Sequence, residues 1–225
     1  MADSENLRQA VLRYAQRNKH KKVGRGECWD LAHLALTEGA KAKSAADYGS
    51  VRRTSDDRWG ESIDVASAQP GDIVQFKDHK ATLTTLTTTK LRLPDGRTLT
   101  YRDSHERTLS RGHHTAIVLS SLKDGKMTVL EQHVRRGSSK VDDTVDEGLI
   151  YLEDSSAPPR TRTDRIHITP HWVHERRSSL DDQKQKQLLD STFRPLMGQL
   201  LEAEIETTES ITVSGTVRAY RPQPQ

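Results

Sequence analysis

The first forty residues show helical periodicity. Apolar side chains recur three or four positions apart between residues 4 and 17, which predicts an amphipathic helix. These side chains belong to Leu7, Val11, Tyr14 and Ala15. A second apolar run predicts a helix over about 28–38, ended by Gly39. Residues 40–69 are polar and irregular and predict a long loop.

From residue 70 the period changes to two, which is typical of strands. The predicted strands cover 73–76, a threonine-rich hairpin over 82–101, 114–120, 127–134, 148–153 and 209–220. Residues 154–164 have the composition of a linker, and 178–201 predict a helix with Ser179 and Asp182 as its capping box. Helices that precede strands indicate an α+β domain.

Composition and charge change this picture little. Hydrophobic residues make up 32% of the 225 positions, so we expect a modest core with long polar loops. The 35 basic residues are nearly balanced by 32 acidic ones. The densest basic run is Arg17, Lys19, Lys21, Lys22 and Arg25. A solvated helix end explains this run, and we expect no nucleic-acid partner.

Membrane and export signals are missing from the sequence pattern. No run approaches the roughly 18 apolar residues that a membrane span needs. The start, MADSENLRQA, has acids where a signal peptide has a basic start and an apolar centre. We therefore expect a cytoplasmic protein, and export by a route without a signal stays compatible.

The single cysteine, Cys28, lies in GRGECWDLAHLAL at the start of the second predicted helix. One cysteine allows neither an internal disulfide nor a multi-cysteine zinc site. A helix start favours the thiolate, and the backbone N–H groups of Cys28 and Trp29 could hold an oxyanion. From the helix alone, an inert buried thiol is the better interpretation.

Two predicted strands add the partners that a thiolate nucleophile needs. His114 shares a strand face with Ala116 and Val118, and a turn leads into a second, antiparallel strand. There Glu131 and His133 share one face. If these strands pack on the Cys28 helix, the three polar groups meet at the strand ends. Strand ends that are merely exposed to solvent remain the alternative interpretation.

These pieces in this order resemble the CHAP amidohydrolase/peptidase family and the related NlpC-type peptidases. The resemblance rests on Gly24–Leu36, PGDIVQF (70–76), HTAIV (114–118) and VLEQH (129–133), with YRP at 220–222 similar to a closing strand. It implies a papain-like cysteine hydrolase fold, with helices packed on an antiparallel sheet or half-barrel.

The same resemblance implies one domain over 1–225. Its core would be about 4–153 plus a closing strand at 209–221, with a hairpin insertion at 77–111 and a linker and helical insertion at 154–208. That last segment could carry a protein partner.

Carried over by position, the resemblance makes Cys28 the nucleophile and His114 the general base and acid. His133 or Glu131 would orient His114, and His113 points to the other face. Glu27 departs from the glutamine that CHAP members commonly have before the cysteine. Lys22 lies near where papain-like enzymes have an oxyanion-binding glutamine.

The prediction is a cysteine-dependent amide hydrolase that works through a thioester and needs no cofactor or metal. Its substrate would be a peptide or peptidoglycan-like amide. The alternatives are an inactive papain-like binding module and a thiol acyltransferase. A metal site at His167, His171 and His174 is the weaker interpretation, since Pro170 interrupts a helix there.

Overall fold

The computed structural model describes residues 2–49, 56–136, 140–178 and 194–225. The capping box predicted at Ser179 and Asp182 lies outside these residues. The chain divides into two compact units. The first comprises Met1–Thr82, Thr108–Ser155 and Ile211–Gln225, and the second comprises Leu83–Arg107 and Ser156–Ser210.

Helices and strands occur in the order expected for an α+β fold. The helices are α1 (Ala2–Arg17), α2 (Cys28–Leu34) and α3 (Pro170–Ser178), with a π-helical turn at Ala35–Ala40 and short 3₁₀ turns at Ala45–Tyr48, Val65–Ser67 and Arg194–Leu196. The strands are β1 (Glu61–Ile63), β2 (Ile73–Arg92), β3 (Thr98–Lys123), β4 (Lys126–Glu131), β5 (Val134–Arg136), β6 (Lys140–Asp142), β7 (Asp146–Tyr151), β8 (Ser155–Ser156), β9 (Arg160–His167) and β10 (Leu200–Arg221).

In the first unit the strands form an antiparallel sheet with the order β1-β10-β2-β3-β4-β7. Ile117 lies opposite Leu130 between β3 and β4, and Val129 lies opposite Gly148 between β4 and β7. The closing strand at 219–221 pairs with β1. This order puts β3 and β4, the strands with the candidate polar residues, side by side.

Both faces of β3 and β4 are buried. One face, which carries Ile117 and Leu130, packs in a cluster with Val11 of α1 and Leu31 of α2. The opposite face packs in a second cluster, whose members include Phe76, Ala116, Val118, Val129 and Ile150. Burial on both sides explains the continuous apolar run at 116–118, since a half-exposed strand would alternate.

The second unit has a hydrophobic cluster of its own. Its buried members are Leu91, Leu93, Tyr101, Ile168, Val173, Leu196, Leu201 and Ala203. Within it, β9 pairs antiparallel with β10, with Arg165 opposite Glu202. Much of the predicted linker is therefore a strand, because its alternating Arg and Thr side chains fit an exposed ladder in which Thr161 and Thr163 lie opposite Glu206 and Glu204.

Two further element predictions need correction. The strand predicted at 73–76 does not stop there, and β2 runs on to Arg92 because no proline or glycine interrupts 77–92. Residues 179–193 of the helix predicted over 178–201 lie outside the described residues, and the described end of this range is not helical as predicted, since Arg194–Leu196 form a 3₁₀ turn and β10 begins at Leu200. Pro170 begins α3 and does not interrupt a helix, because the first helical position needs no N–H donor.

The predicted basic run is largely paired. Lys19 contacts Glu147 at 2.7 Å, Lys22 contacts Asp143 at 3.7 Å, and Arg25 contacts Asp30 at 3.0 Å. In the described ranges, no helix is both long and apolar enough to span a membrane.

The packing of α1 on the turn before β2 gives a stability prediction. Gly71 has a φ of +89°, and a Cβ there would lie 2.1 Å from the Arg8 carbonyl oxygen. Gly49 has a similar φ of +79° with open space around it. We expect Gly49→Ala to cost about 1–2 kcal/mol from the left-handed backbone alone. Gly71→Ala should cost about 3 kcal/mol or more, because the backbone contact adds to that strain.

Urea denaturation of both variants measures this difference. Equal losses of unfolding free energy in the two variants would show that α1 can move away from the turn at Gly71 without a loss of stability.

Candidate active site

The candidate nucleophile lies at a junction between a loop and a helix. Cys28 is the first residue of α2, directly after Glu27, and it is partly exposed. Buried Leu31 and Ala32, on the same short helix, anchor it in the core. The sulfur is therefore held by a packed helix and not by a free loop.

His114 and Glu131 lie close together on neighbouring strands. Glu131 ends β4 and, by continuation of the register, falls opposite Ala116, so that His114 is its diagonal neighbour on the same face. The His114 Nε2 atom lies 3.0 Å from Glu131 Oε2. His114 is 6% exposed and Glu131 is fully buried. Glu131 therefore fixes the ring through Nε2, which leaves Nδ1 for Cys28.

Arg111 completes the carboxylate's surroundings. Its Nε donates to Glu131 Oε2 at 2.9 Å, and its Nη2 donates to Oε1 at 2.6 Å. Strict alternation would put Arg111 and His114 on opposite faces, because they are three residues apart. However, Gly112 and His113 are both exposed, so the alternation changes phase between them. Both cations therefore reach the same buried carboxylate.

The Cys28 sulfur interacts with three neighbouring groups. They are the His114 side chain and the backbone N–H groups of Thr115 and Trp29. Burial raises the pKa of the Cys28 thiol. The hydrogen bond and charge of His114, together with the two N–H donors, lower this pKa by more than burial raises it. The net pKa lies below that of an ordinary thiol, which favours the thiolate.

The charges of His114 and Glu131 follow from the same contacts. Burial lowers the pKa of His114, but its hydrogen bonds with Cys28 and Glu131 raise it to about 9. Burial raises the pKa of Glu131, but its bonds with His114 and Arg111 lower it to about 2. At neutral pH these pKa values make His114 an imidazolium and Glu131 a carboxylate, and the lowered pKa of Cys28 shifts its thiol toward the thiolate.

A glycine makes room for this carboxylate. Gly148 on β7 lies beside Glu131, and a Cβ at Gly148 would sit 2.0 Å from Glu131 Oε1. That oxygen is not free to swing away, because Arg111 holds it. The absence of a side chain at this position therefore permits the buried pair.

His133 does not contact His114. Its Nδ1 lies 3.0 Å from Asp143 Oδ1, and its Nε2 lies 3.7 Å from Glu27 Oε2. His133 has a φ of +63°, which ends the alternation that put it on the face of Glu131. Of the two expected orienting residues, the structure brings only Glu131 to His114.

The expected oxyanion donors differ in their partners. The Trp29 N–H interacts with the Cys28 sulfur. The Cys28 N–H belongs to the peptide whose carbonyl, that of Glu27, accepts from the Gln132 side chain at 2.6 Å. Glu27 begins the helix without a side-chain cap, and its carboxylate is turned toward His133.

Three residues of this site were missed by the sequence analysis, namely Arg111, Gln132 and Gly148. Gln132 was detectable as a polar residue between the two candidates Glu131 and His133. Arg111 and Gly148 carry no such signal, since their roles depend on a phase change and on a neighbouring strand. Within the described parts of the chain, no three His, Cys, Asp or Glu side chains gather where they could hold a metal.

Comparison with known proteins bears on the fold that carries this site. A family model described as the AIM3/BBC1 Cysteine proteinase-fold domain matches residues 1–154. That range contains Cys28, His114 and Glu131. The papain-like fold implied by the resemblance is thereby supported, and the match names neither the CHAP nor the NlpC-type family. A search of curated proteins found no match.

The hydrogen bond between Cys28 and His114 predicts the pH dependence of alkylation. Because the pKa of Cys28 is lowered, iodoacetamide should react with the native protein well below pH 8. In His114→Gln the apparent pKa of the thiol should rise to about 8.5 or above. Burial still raises this pKa in the variant, whereas the lowering effect of the His114 side chain is lost. Rates measured from pH 5 to 10 test this. The exposed neighbour variant His113→Gln should keep the native profile, and an identical shift in both variants would contradict the assignment.

The close approach of Gly148 to Glu131 predicts a similar shift from a distant strand. Gly148→Ala should displace the Glu131 carboxylate, weaken its hold on His114 and raise the apparent pKa of Cys28. It should also cost about 3–5 kcal/mol of unfolding free energy, the usual loss when a buried ion pair is broken.

Gly112→Ala is the matched control, because nothing lies within 4 Å of a Cβ there. Alkylation profiles and urea denaturation of the two variants give the answer. An unshifted profile in Gly148→Ala would mean that His114 does not depend on the placement of Glu131.

Proposed function

The chain belongs to the AIM3/BBC1 cysteine proteinase-fold family, and from that premise we propose that it is a cysteine-dependent amide hydrolase. One observation carries the proposal: His114 lies between Cys28 and Glu131 in a mostly buried site, where its Nε2 is 3.0 Å from Glu131 Oε2 and its side chain interacts with the Cys28 sulfur. Nucleophile, base and orienting group are the three parts that covalent catalysis by a thiol requires.

In the proposed acylation step, the Cys28 thiolate attacks the amide carbonyl carbon and forms a C–S bond. The carbonyl electrons move to oxygen, where a backbone N–H stabilises the oxyanion. Collapse of this intermediate breaks the C–N bond, and the His114 imidazolium donates its proton to the leaving nitrogen. The products are a free amine and a thioester on Cys28.

Neutral His114 then takes a proton from water, and the resulting hydroxide attacks the thioester carbonyl. Collapse breaks the C–S bond and releases a carboxylic acid, and the pair of thiolate and imidazolium returns. Glu131 stays ionised throughout and holds Nε2–H, which keeps Nδ1 directed at sulfur.

With the pKa of His114 near 9, activity should decline above that pH, because the leaving amine then lacks its proton donor.

The buried charges argue against an inactive binding module. Burying ions costs several kcal/mol each, and they persist in proteins only with well-placed partners. A protein that needed only its surface for binding would gain nothing from such a cluster next to its single thiol. This supports a site that still performs chemistry.

The finer features of the proposal follow from the site and the earlier resemblance. We place the chain near the CHAP and NlpC-type hydrolases, with a peptide or peptidoglycan-like amide as substrate. A free thiolate nucleophile fits a reducing compartment such as the cytoplasm. The segment 154–208 is the part proposed to meet a protein partner.

Loss of the orienting carboxylate tests the proposed function. With p-nitrophenyl acetate as the probe, intact-protein mass spectrometry should show acetylation of Cys28 followed by its loss through hydrolysis. Glu131→Gln should lower the turnover rate about 10²-fold or more, because the neutral amide no longer favours the imidazolium.

His133→Gln is the matched comparison and should stay within a few-fold of the native rate. A native protein that acetylates no faster than free cysteine would contradict a catalytic function and leave the binding module. Equal losses in both variants would contradict the role given to Glu131.

A further inference from the structure

Gln132 lies between Glu131 and His133, and its buried side chain faces the loop that leads to Cys28. It is 1% exposed. Its Oε1 accepts from the Val23 N–H at 3.2 Å. Its Nε2 donates to the Val23 carbonyl at 3.0 Å and to the Glu27 carbonyl at 2.6 Å. One side chain therefore holds the loop at both of its ends.

The orientation of this amide is dictated by its partners. The Val23 N–H can only donate and therefore faces Oε1, while the two carbonyls can only accept and face Nε2. Both N–H donors of the side chain are used. A glutamine amide supplies two donors and an acceptor from one planar group, and neither a carboxylate nor an apolar side chain does so.

The bond to Glu27 acts on one particular peptide group. The carbonyl of Glu27 and the N–H of Cys28 belong to the same planar unit and point in opposite directions. The Asp30 N–H also donates to this carbonyl, at 3.1 Å. With its carbonyl fixed by two donors, the peptide cannot rotate, and the direction of the Cys28 N–H is fixed with it.

We propose that Gln132 is a positioning residue that aims the Cys28 N–H at the substrate oxygen during acylation. This rests on the proposed function and deepens it. The Trp29 N–H interacts with the sulfur, whereas the Cys28 N–H belongs to the peptide that Gln132 holds, and we assign the Cys28 N–H as the donor to the oxyanion. Two consecutive residues at the end of β4 then position two different groups. Glu131 orients the base, and Gln132 orients the oxyanion donor.

Two reactions of the same sulfur separate this role from general support of the loop. Alkylation by iodoacetamide forms no oxyanion, whereas acylation by p-nitrophenyl acetate passes through one. In Gln132→Met, which keeps the length and neutrality of the side chain, we expect acylation to slow roughly 10- to 100-fold. This loss of rate is no larger than the loss that follows complete removal of an oxyanion donor. The plateau rate of alkylation should stay within about threefold of native.

Asp72→Asn is the control for lost buried hydrogen bonds. The Asp72 carboxylate is buried and accepts from Gln69 N–H and Arg221, and none of these bonds involves the 23–27 loop. This variant should lower stability and leave both reactions of Cys28 unchanged.

The outcomes are distinct. If acylation and alkylation fall together in Gln132→Met, the residue only supports the loop and the proposal is overturned. If neither falls, it is also overturned. Should the native protein show no enhanced acylation, the proposed function fails instead.

In that last case, the backbone ¹⁵N resonance of Cys28 still tests the placement of the peptide, because it needs no turnover. It should move upfield in Gln132→Met as the Glu27 carbonyl loses a donor, and an unmoved resonance overturns the proposal.

Discussion

A fully buried carboxylate is the constraint on which the site depends. Glu131 is ionised because Arg111 binds both of its oxygens and His114 shares one of them. Cations and anions alternate along the site, from the Arg111 guanidinium to the Glu131 carboxylate and the His114 imidazolium, and the lowered pKa of Cys28 favours a thiolate next to that imidazolium. This alternation limits the cost of burial, whereas loss of any one charged member would leave an uncompensated charge in the core.

The geometry of the sheet explains why these charges meet. β4 lies between β3 and β7, so that Glu131 has a strand on each side. β3 supplies His114 and, after the phase change at Gly112 and His113, Arg111 as well. β7 supplies empty space at Gly148. The helix α2 then brings the sulfur to the same strand end, where Gln132 fixes the loop before it.

Much of the candidate site could be predicted from the sequence, because its signals are local. A lone thiol after two glycines, and polar residues at the ends of apolar strands, single out Cys28, His114 and Glu131. The choice between Glu131 and His133 could not be predicted, since it depends on a backbone turn: His133 adopts a left-handed conformation and meets Asp143. The lengths of β2, β3 and β10 were also underestimated, because polar and charged segments such as 77–81 and 102–113 show no apolar alternation that would predict a strand when the paired strand is unknown.

The sequence by itself determined the α+β class, the helical setting of Cys28 and the alternation that puts His114 on a buried face. These features follow from hydrophobic periodicity, which depends on near neighbours in the chain. Only the tertiary structure decided that Arg111 shares the carboxylate, that Gly148 leaves room for it and that Gln132 holds the peptide of Cys28. Each of these depends on contacts between residues 17 to more than 100 positions apart, and local spacing carries no information about such contacts.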